Sequence, residues 1–171
     1  MTTIQSIVSA CATTAMLAGC ASGPNRSKEE AYNQKLGIVV SPVKGGVEVR
    51  MPDAPLFEFD AAAMRPASEP ILNRAAVLLK RSTRPIVIEG HTDNIGALDY
   101  NTALSQARAN AVGDALVARG VPAARIKTKG IAFLQPIATN DTPEGRALNR
   151  RVEIIVKTET EETLLGRFKT K

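Results

Sequence analysis

Gly90 to Arg108, GHTDNIGALDYNTALSQAR, is the stretch on which the reading of this chain turns. A short β-branched segment, Pro85-Ile86-Val87-Ile88-Glu89, precedes it, and a helical pattern continues to about Arg119. The run is therefore a strand-to-helix crossover with a polar corner. On the helix, Leu104, Arg108, Val112 and Leu116 recur at spacing four beside Ala111 and Ala115. Arg108 thus falls on the apolar stripe, where surface helices carry aliphatics. A guanidinium keeps its charge, and burying it unpaired costs several kcal/mol or more. Asp93, in the turn that enters the helix, is the nearest candidate partner. Such a pair serves either as a closed structural salt bridge or as two halves of a receptor for a zwitterion, with an ammonium against Asp93 and a carboxylate against Arg108.

A second polar block lies downstream, Asn140 to Glu153, NDTPEGRALNRRVE. Together, over roughly Val47 to Lys157, the two blocks resemble the OmpA-like peptidoglycan-binding domain. That resemblance implies a βαβαβαβ fold with about four strands in a mixed sheet and helices packed on one face. It implies a pocket for the diaminopimelate of the peptidoglycan stem in which Asp93 accepts from the ligand ammonium and Arg108 forks onto its carboxylate. Asn101 would cap the helix or touch the ligand. Asn149 and Arg150 match the distal wall, with Arg150 a second cationic contact and Arg151 solvated or paired near Glu153. Leu56 to Asp60 resembles the end of the first core strand, and the loop Asp60 to Ala63 would offer backbone N–H groups to a carboxylate, so Asp60 and Ala61 join the candidate site. Phe57 and Phe59 are read as core. Ala132 stands where the family pattern would have a glycine.

The remaining elements follow from periodicity and caps. Gly37 to Val43 and Gly45 to Met51 read as a hairpin or bent strand. Ser68-Glu69-Pro70 starts a helix that Lys80-Arg81 closes. Gly120 and Val121-Pro122 end the long helix. Ile126 to Ile131 is a strand, Thr142-Pro143-Glu144 starts a short helix, and Val152 to Lys157 is a final strand. Strands alternating with helices give an α/β sandwich around one core. Ala21 to about Leu36 is polar and without a sustained stripe, and reads as a flexible tether over 20–36 with at most a helical turn near Ser27, whose spacing to Glu30 suits a capping box. The domain proper spans 37–157, and 158–171 is a polar tail that frays unless Leu164, Leu165 and Phe168 dock.

Met1 to Gly19 carry no charged side chain and end in Leu17-Ala18-Gly19-Cys20. This suits a cleaved export signal and is too short and weakly apolar for a membrane span. LAGC resembles the bacterial lipobox, which implies cleavage before Cys20, lipidation of that cysteine, and a periplasm-facing domain anchored at the outer membrane. Asp is absent after Cys20, where it would favour inner-membrane retention. The n-region departs from the usual pattern in lacking Lys or Arg. With Cys11 removed and Cys20 lipidated, no disulfide or thiolate metal site remains.

The net charge of +5 suits a polyanionic partner such as cell wall or lipid head groups. Its Lys and Arg are scattered and not interleaved with aromatics, which argues against nucleic acid. His91, Asp93 and Ser105 lack a nucleophile elbow and triad spacing, so an enzyme is not expected. One histidine and no thiolate give no metal site, and the glycines form no phosphate loop, so no cofactor is expected. The expected partners are peptidoglycan, the outer membrane through the lipid, and other envelope proteins. The alternative is an envelope scaffold lipoprotein with a closed Asp93–Arg108 pair.

Overall fold

The computed structural model describes residues 23–167. Five strands, β1 Val39–Val43, β2 Gly46–Pro52, β3 Ile86–His91, β4 Ile126–Ala132 and β5 Arg151–Lys157, form one sheet in the order β1-β2-β5-β3-β4. Only β3 and β4 run parallel, and the helix α3, Leu98–Val117, makes the crossover that parallel neighbours need. The other helices are α1 Arg26–Lys35, α2 Ser68–Leu79, α4 Pro143–Asn149 and α5 Glu161–Leu165. The mixed α/β fold is as expected, with five strands in place of about four. The hairpin β1–β2 supplies two of them, joined in antiparallel register from Val39 opposite Arg50 to Val43 opposite Gly46.

Alternation along the strands separates the two faces of the sheet. Val47, Val49 and Met51 of β2, Ile86 and Ile88 of β3, and Val152, Ile154 and Val156 of β5 form one apolar cluster with Ile71, Leu72, Ala75, Leu78 and Leu79 of α2 and Ala109, Val112 and Leu116 of α3. The opposite face carries Glu48, Arg50, Glu89, His91, Arg151 and Glu153. Gly90 and Gly130 let α3 settle directly on the sheet. A Cβ at Gly90 would lie 2.1 Å from the Ser105 carbonyl oxygen, and one at Gly130 would lie 2.7 Å from the Thr102 oxygen.

Outside the central crossover the structure departs from the sequence expectations at several points. The stretch read as a tether contains α1, capped by the Asn25 side chain and not by Ser27, which lies inside the helix. This helix docks through polar groups: Glu29 lies 2.7 Å from Arg74 and 2.8 Å from Arg81, and buried Asn33 accepts from Arg74 Nε at 2.5 Å. Of the two readings of the tail, docking is the one that forms: Leu164 and Leu165 of α5 are buried in the core. Leu56 to Asp60 is not a strand end; it makes one isolated bridge, Phe57 to Met64, within a tight loop. At α2, Ala67 holds the cap position, and Ser68 turns its hydroxyl back to the Arg65 carbonyl. The proposed signal, Cys20 and Phe168 lie outside the described residues.

Candidate binding site

The corner after β3 is fixed by local hydrogen bonds. Thr92 N donates to the Ala132 carbonyl at 3.0 Å, and Asp93 Oδ1 accepts from Ile95 N at 3.1 Å. Asn101 Nδ2 donates to the carbonyls of Ile95 and Ala97 at 2.8 and 3.2 Å, so this buried side chain braces the loop from inside the helix. It is not the cap, which is Ala97.

Asp93 and Arg108 line the same cleft without pairing with each other. Asp93 Oδ2 accepts from Arg150 Nη1 at 2.6 Å, while Arg108 Nη1 lies 2.8 Å from Asp53 Oδ1. The expected Asp93–Arg108 pair is thus replaced by two crossed pairs. The reason is the sheet: β2 runs beside β5 with Pro52 opposite Arg151, so Asp53 arrives next to Arg150, whose carbonyl accepts from Asp53 N at 3.2 Å.

Arg108 is nearly inaccessible and doubly seated. Its Nε donates to the Ala61 carbonyl at 2.9 Å, and its guanidinium lies 5.1 Å from the centre of the Phe57 ring. The contact to Asp53 is close but out of line for a hydrogen bond, and Asp53 Oδ1 is buried without one. Burial pushes the Asp53 carboxyl up, Arg108 and Arg150 pull it back, and Asp93 adds to the rise; the net direction is upward. Asp53, Asp93, Arg108 and Arg150 therefore form a charge-balanced array around a cleft of about 410 Å³.

The first loop plays a different part from the one expected. Ala61 N is spent on the Glu58 carbonyl at 3.3 Å, and it is the Ala61 carbonyl, not its N–H, that serves the site by holding Arg108. Asp60 lines the cleft from a left-handed backbone, φ 54°, and its carboxylate raises the Tyr100 phenol beside it. Phe57 is core, but Phe59 is 97% exposed and stands with Ile95 and Tyr100 on the rim. Asn149 is buried and braces the 137–140 loop, accepting from Ile137 N and Ala138 N at 2.9 and 3.0 Å. Ser105 packs against β3 at Gly90 and binds Ala132 N, whereas His91 points to the other side of the sheet toward Glu153, so the two are not joined as in a triad. Asp53 escaped the sequence reading because nothing in its local spacing marks it; only the β2–β5 pairing brings it to the cleft.

A sequence profile described as OmpA family matches residues 56–150. The probable lipoprotein YiaD of Escherichia coli (strain K12) is 40% identical over 119 residues, covering 69% of this chain and 54% of that protein. The peptidoglycan-binding protein ArfA of Mycobacterium tuberculosis (strain ATCC 25618 / H37Rv) is 50% identical over 101 residues, covering 58% of this chain and 31% of that protein. Among solved structures, the cell wall anchor of the T6SS from Pseudomonas aeruginosa superposes with a TM-score of 0.69 at 36% identity, covering 78% of this chain and 97% of that one. The chain spans between 16% and 54% of the length of the first curated relatives it matches.

Proposed function

This chain belongs to the OmpA family, and from that premise we propose that it is a non-enzymatic module that binds peptidoglycan through the diaminopimelate of the stem peptide and ties the outer membrane to the cell wall. The observation that carries this reading is the array of two carboxylates and two guanidiniums around one cleft. A zwitterion entering it exchanges partners without burying net charge. The Arg150 side chain is 36% exposed and the Arg108 side chain only 4%, so Arg150 is the group free to swing. Its departure opens Asp93 to the ligand ammonium, while Arg108, held by Ala61 and Phe57, faces the ligand carboxylate from the wall of the cleft. Phe59, Ile95 and Tyr100 cover the methylene stem.

Each charge-assisted bond contributes about 1.5–3 kcal/mol before ordering costs are subtracted, so one grip is weak. Attachment to a membrane facing a continuous wall compensates through high effective concentration. The names of ArfA and of the T6SS anchor support the ligand class, and that of YiaD supports lipid attachment at Cys20. Peptidoglycan and the outer membrane are the partners in this reading, and no cofactor is needed.

The test is retention of the untagged chain on purified sacculi. Asp93→Asn and free diaminopimelate should each reduce retention at least tenfold with circular dichroism unchanged; undiminished retention overturns the pocket. The alternative, an envelope scaffold, loses its closed Asp93–Arg108 pair, because each residue pairs elsewhere, and full retention of Asp93→Asn on sacculi would favour it.

A further inference from the structure

The face of the sheet turned away from α2 and α3 holds a second polar cluster, formed by strands β3 and β5 and largely buried. Glu89 and His91 lie two apart on β3, so they share a face, and Glu89 sits directly opposite Glu153 on β5. Donor atoms of Glu89, His91 and Glu153 all lie within 4.8 Å of one another. His91 Nε2 is 3.5 Å from Glu153 Oε2, close to the edge of about 3.3 Å between neighbouring ligands of a tetrahedral ion bound at about 2.0–2.1 Å.

Two features of this cluster ask for a cation. The His91 side chain is 0% exposed, yet neither ring nitrogen has a hydrogen-bond partner among the described residues, although buried imidazoles ordinarily find one. Two carboxylates facing each other across a strand pair repel unless something bridges them. Arg151 takes only one side of Glu153, bonding Oε1 at 2.5 Å, and its other nitrogens go to the carbonyls of Asn149 and Gln135. Glu153 Oε2 is left facing the imidazole. Arg50 leans on Glu48 at 3.6 Å.

We propose that Glu89, His91 and Glu153 form a binding site for one divalent transition-metal ion of the zinc class. A neutral imidazole nitrogen and two carboxylate oxygens fit that class, and water completes the fourth position. The two carboxylates balance the ion's charge, so its uptake leaves the surrounding arginines paired as they are. One histidine and no thiolate in the domain leave the sequence without a metal motif. Here the third ligand comes from a strand more than sixty residues away. The site is separate from the cleft, and the proposal does not depend on what the cleft binds.

The experiment titrates the untagged chain with ZnCl₂ by calorimetry while following the ring signals of His91 by NMR, which report one residue because the chain has a single histidine. Binding of one ion per chain with matching shifts of the His91 ring is expected. Glu89→Gln should weaken binding at least tenfold without lowering the melting temperature of the metal-free chain, since it relieves the repulsion from Glu153, and with the retention on sacculi unchanged. No stoichiometric binding at 0.1 mM, roughly the upper bound of a useful site, overturns the proposal. So does binding with the His91 signals unmoved, or wild-type affinity in Glu89→Gln.

Discussion

The carboxylate of Asp93 accepts a hydrogen bond from Arg150 at 2.6 Å, joining the turn that enters α3 to the residue that precedes β5. Arg108 is left to Asp53. One guanidinium of the array is thus accessible and the other sealed in, and the two have different work to do. In the function proposed above, Arg150 is the group that moves aside, and Arg108 is part of the wall.

Replacing the two arginines by alanine should separate stability from binding. Arg108→Ala strands Asp53 and empties the space over Phe57, which should cost about 3–5 kcal/mol, as for other broken buried pairs. Arg150→Ala removes a half-exposed partner and should cost no more than about 1 kcal/mol. Urea unfolding checks both figures; sacculus retention should fall for Arg108→Ala and hold for Arg150→Ala, which leaves Asp93 open to the ligand.

Gly90→Ala should be severely destabilising. The added methyl would meet a backbone oxygen at 2.1 Å, so relief requires α3 to lift from the sheet. The loss should reach at least about 3 kcal/mol, the upper end for overpacking. Gly23→Ala, with nothing within 4 Å of the new atom, is the control and should melt like the wild type.

Acid should weaken the fold in a predictable window. Burial raises the Glu153 carboxyl, but the His91 and Arg151 contacts outweigh it and hold the group at about 2, below the ordinary 4.5. Such a depressed carboxylate stabilises the fold fully above 4.5, and the contribution fades as pH falls toward 2. The shift corresponds to about 3 kcal/mol at most. Asp53 and Glu48 are raised by burial and act in the opposite sense, regaining stability as they protonate. Glu153→Gln should flatten the decline in chemical-denaturation stability between pH 4.5 and 2.

Arg74→Ala should loosen α1 without disturbing the cleft. It removes the contacts to Glu29 and Asn33 that seat the helix on α2. Amide exchange within Arg26–Lys35 should accelerate at least tenfold, while amides in the centre of α3 keep their protection.

The chain makes local patterns plain and leaves distant partnerships hidden. The crossover at Gly90 to Arg108, the α2 helix and the β4 and β5 strands follow from periodicity and punctuation, and all form. That Arg108 must find an acid was also legible from its place among aliphatics. Which acid it finds was not, because Asp53 is brought in by the register of two strands far apart in sequence. α1 stayed invisible for a different reason: it is seated by Glu29 and Asn33, and an apolar stripe is the only docking signal that periodicity detects. Phe59 misled because alternation with Phe57 suggests a strand, while the chain turns there and throws the ring outward.

Backbone stands against backbone where α3 crosses Gly90 and Gly130, so the corner works as a fixed gauge. Arg108, the one charge of the four that rides on α3, cannot be respaced by rolling the helix, and a guest of the wrong length gains nothing from that side of the cleft. If the cleft takes diaminopimelate as proposed, a stem built on lysine would bring an amine with no acid group beside it and leave one guanidinium unanswered. The chemotype of the wall, and not any pliancy of the receptor, would then decide which envelopes this domain can hold.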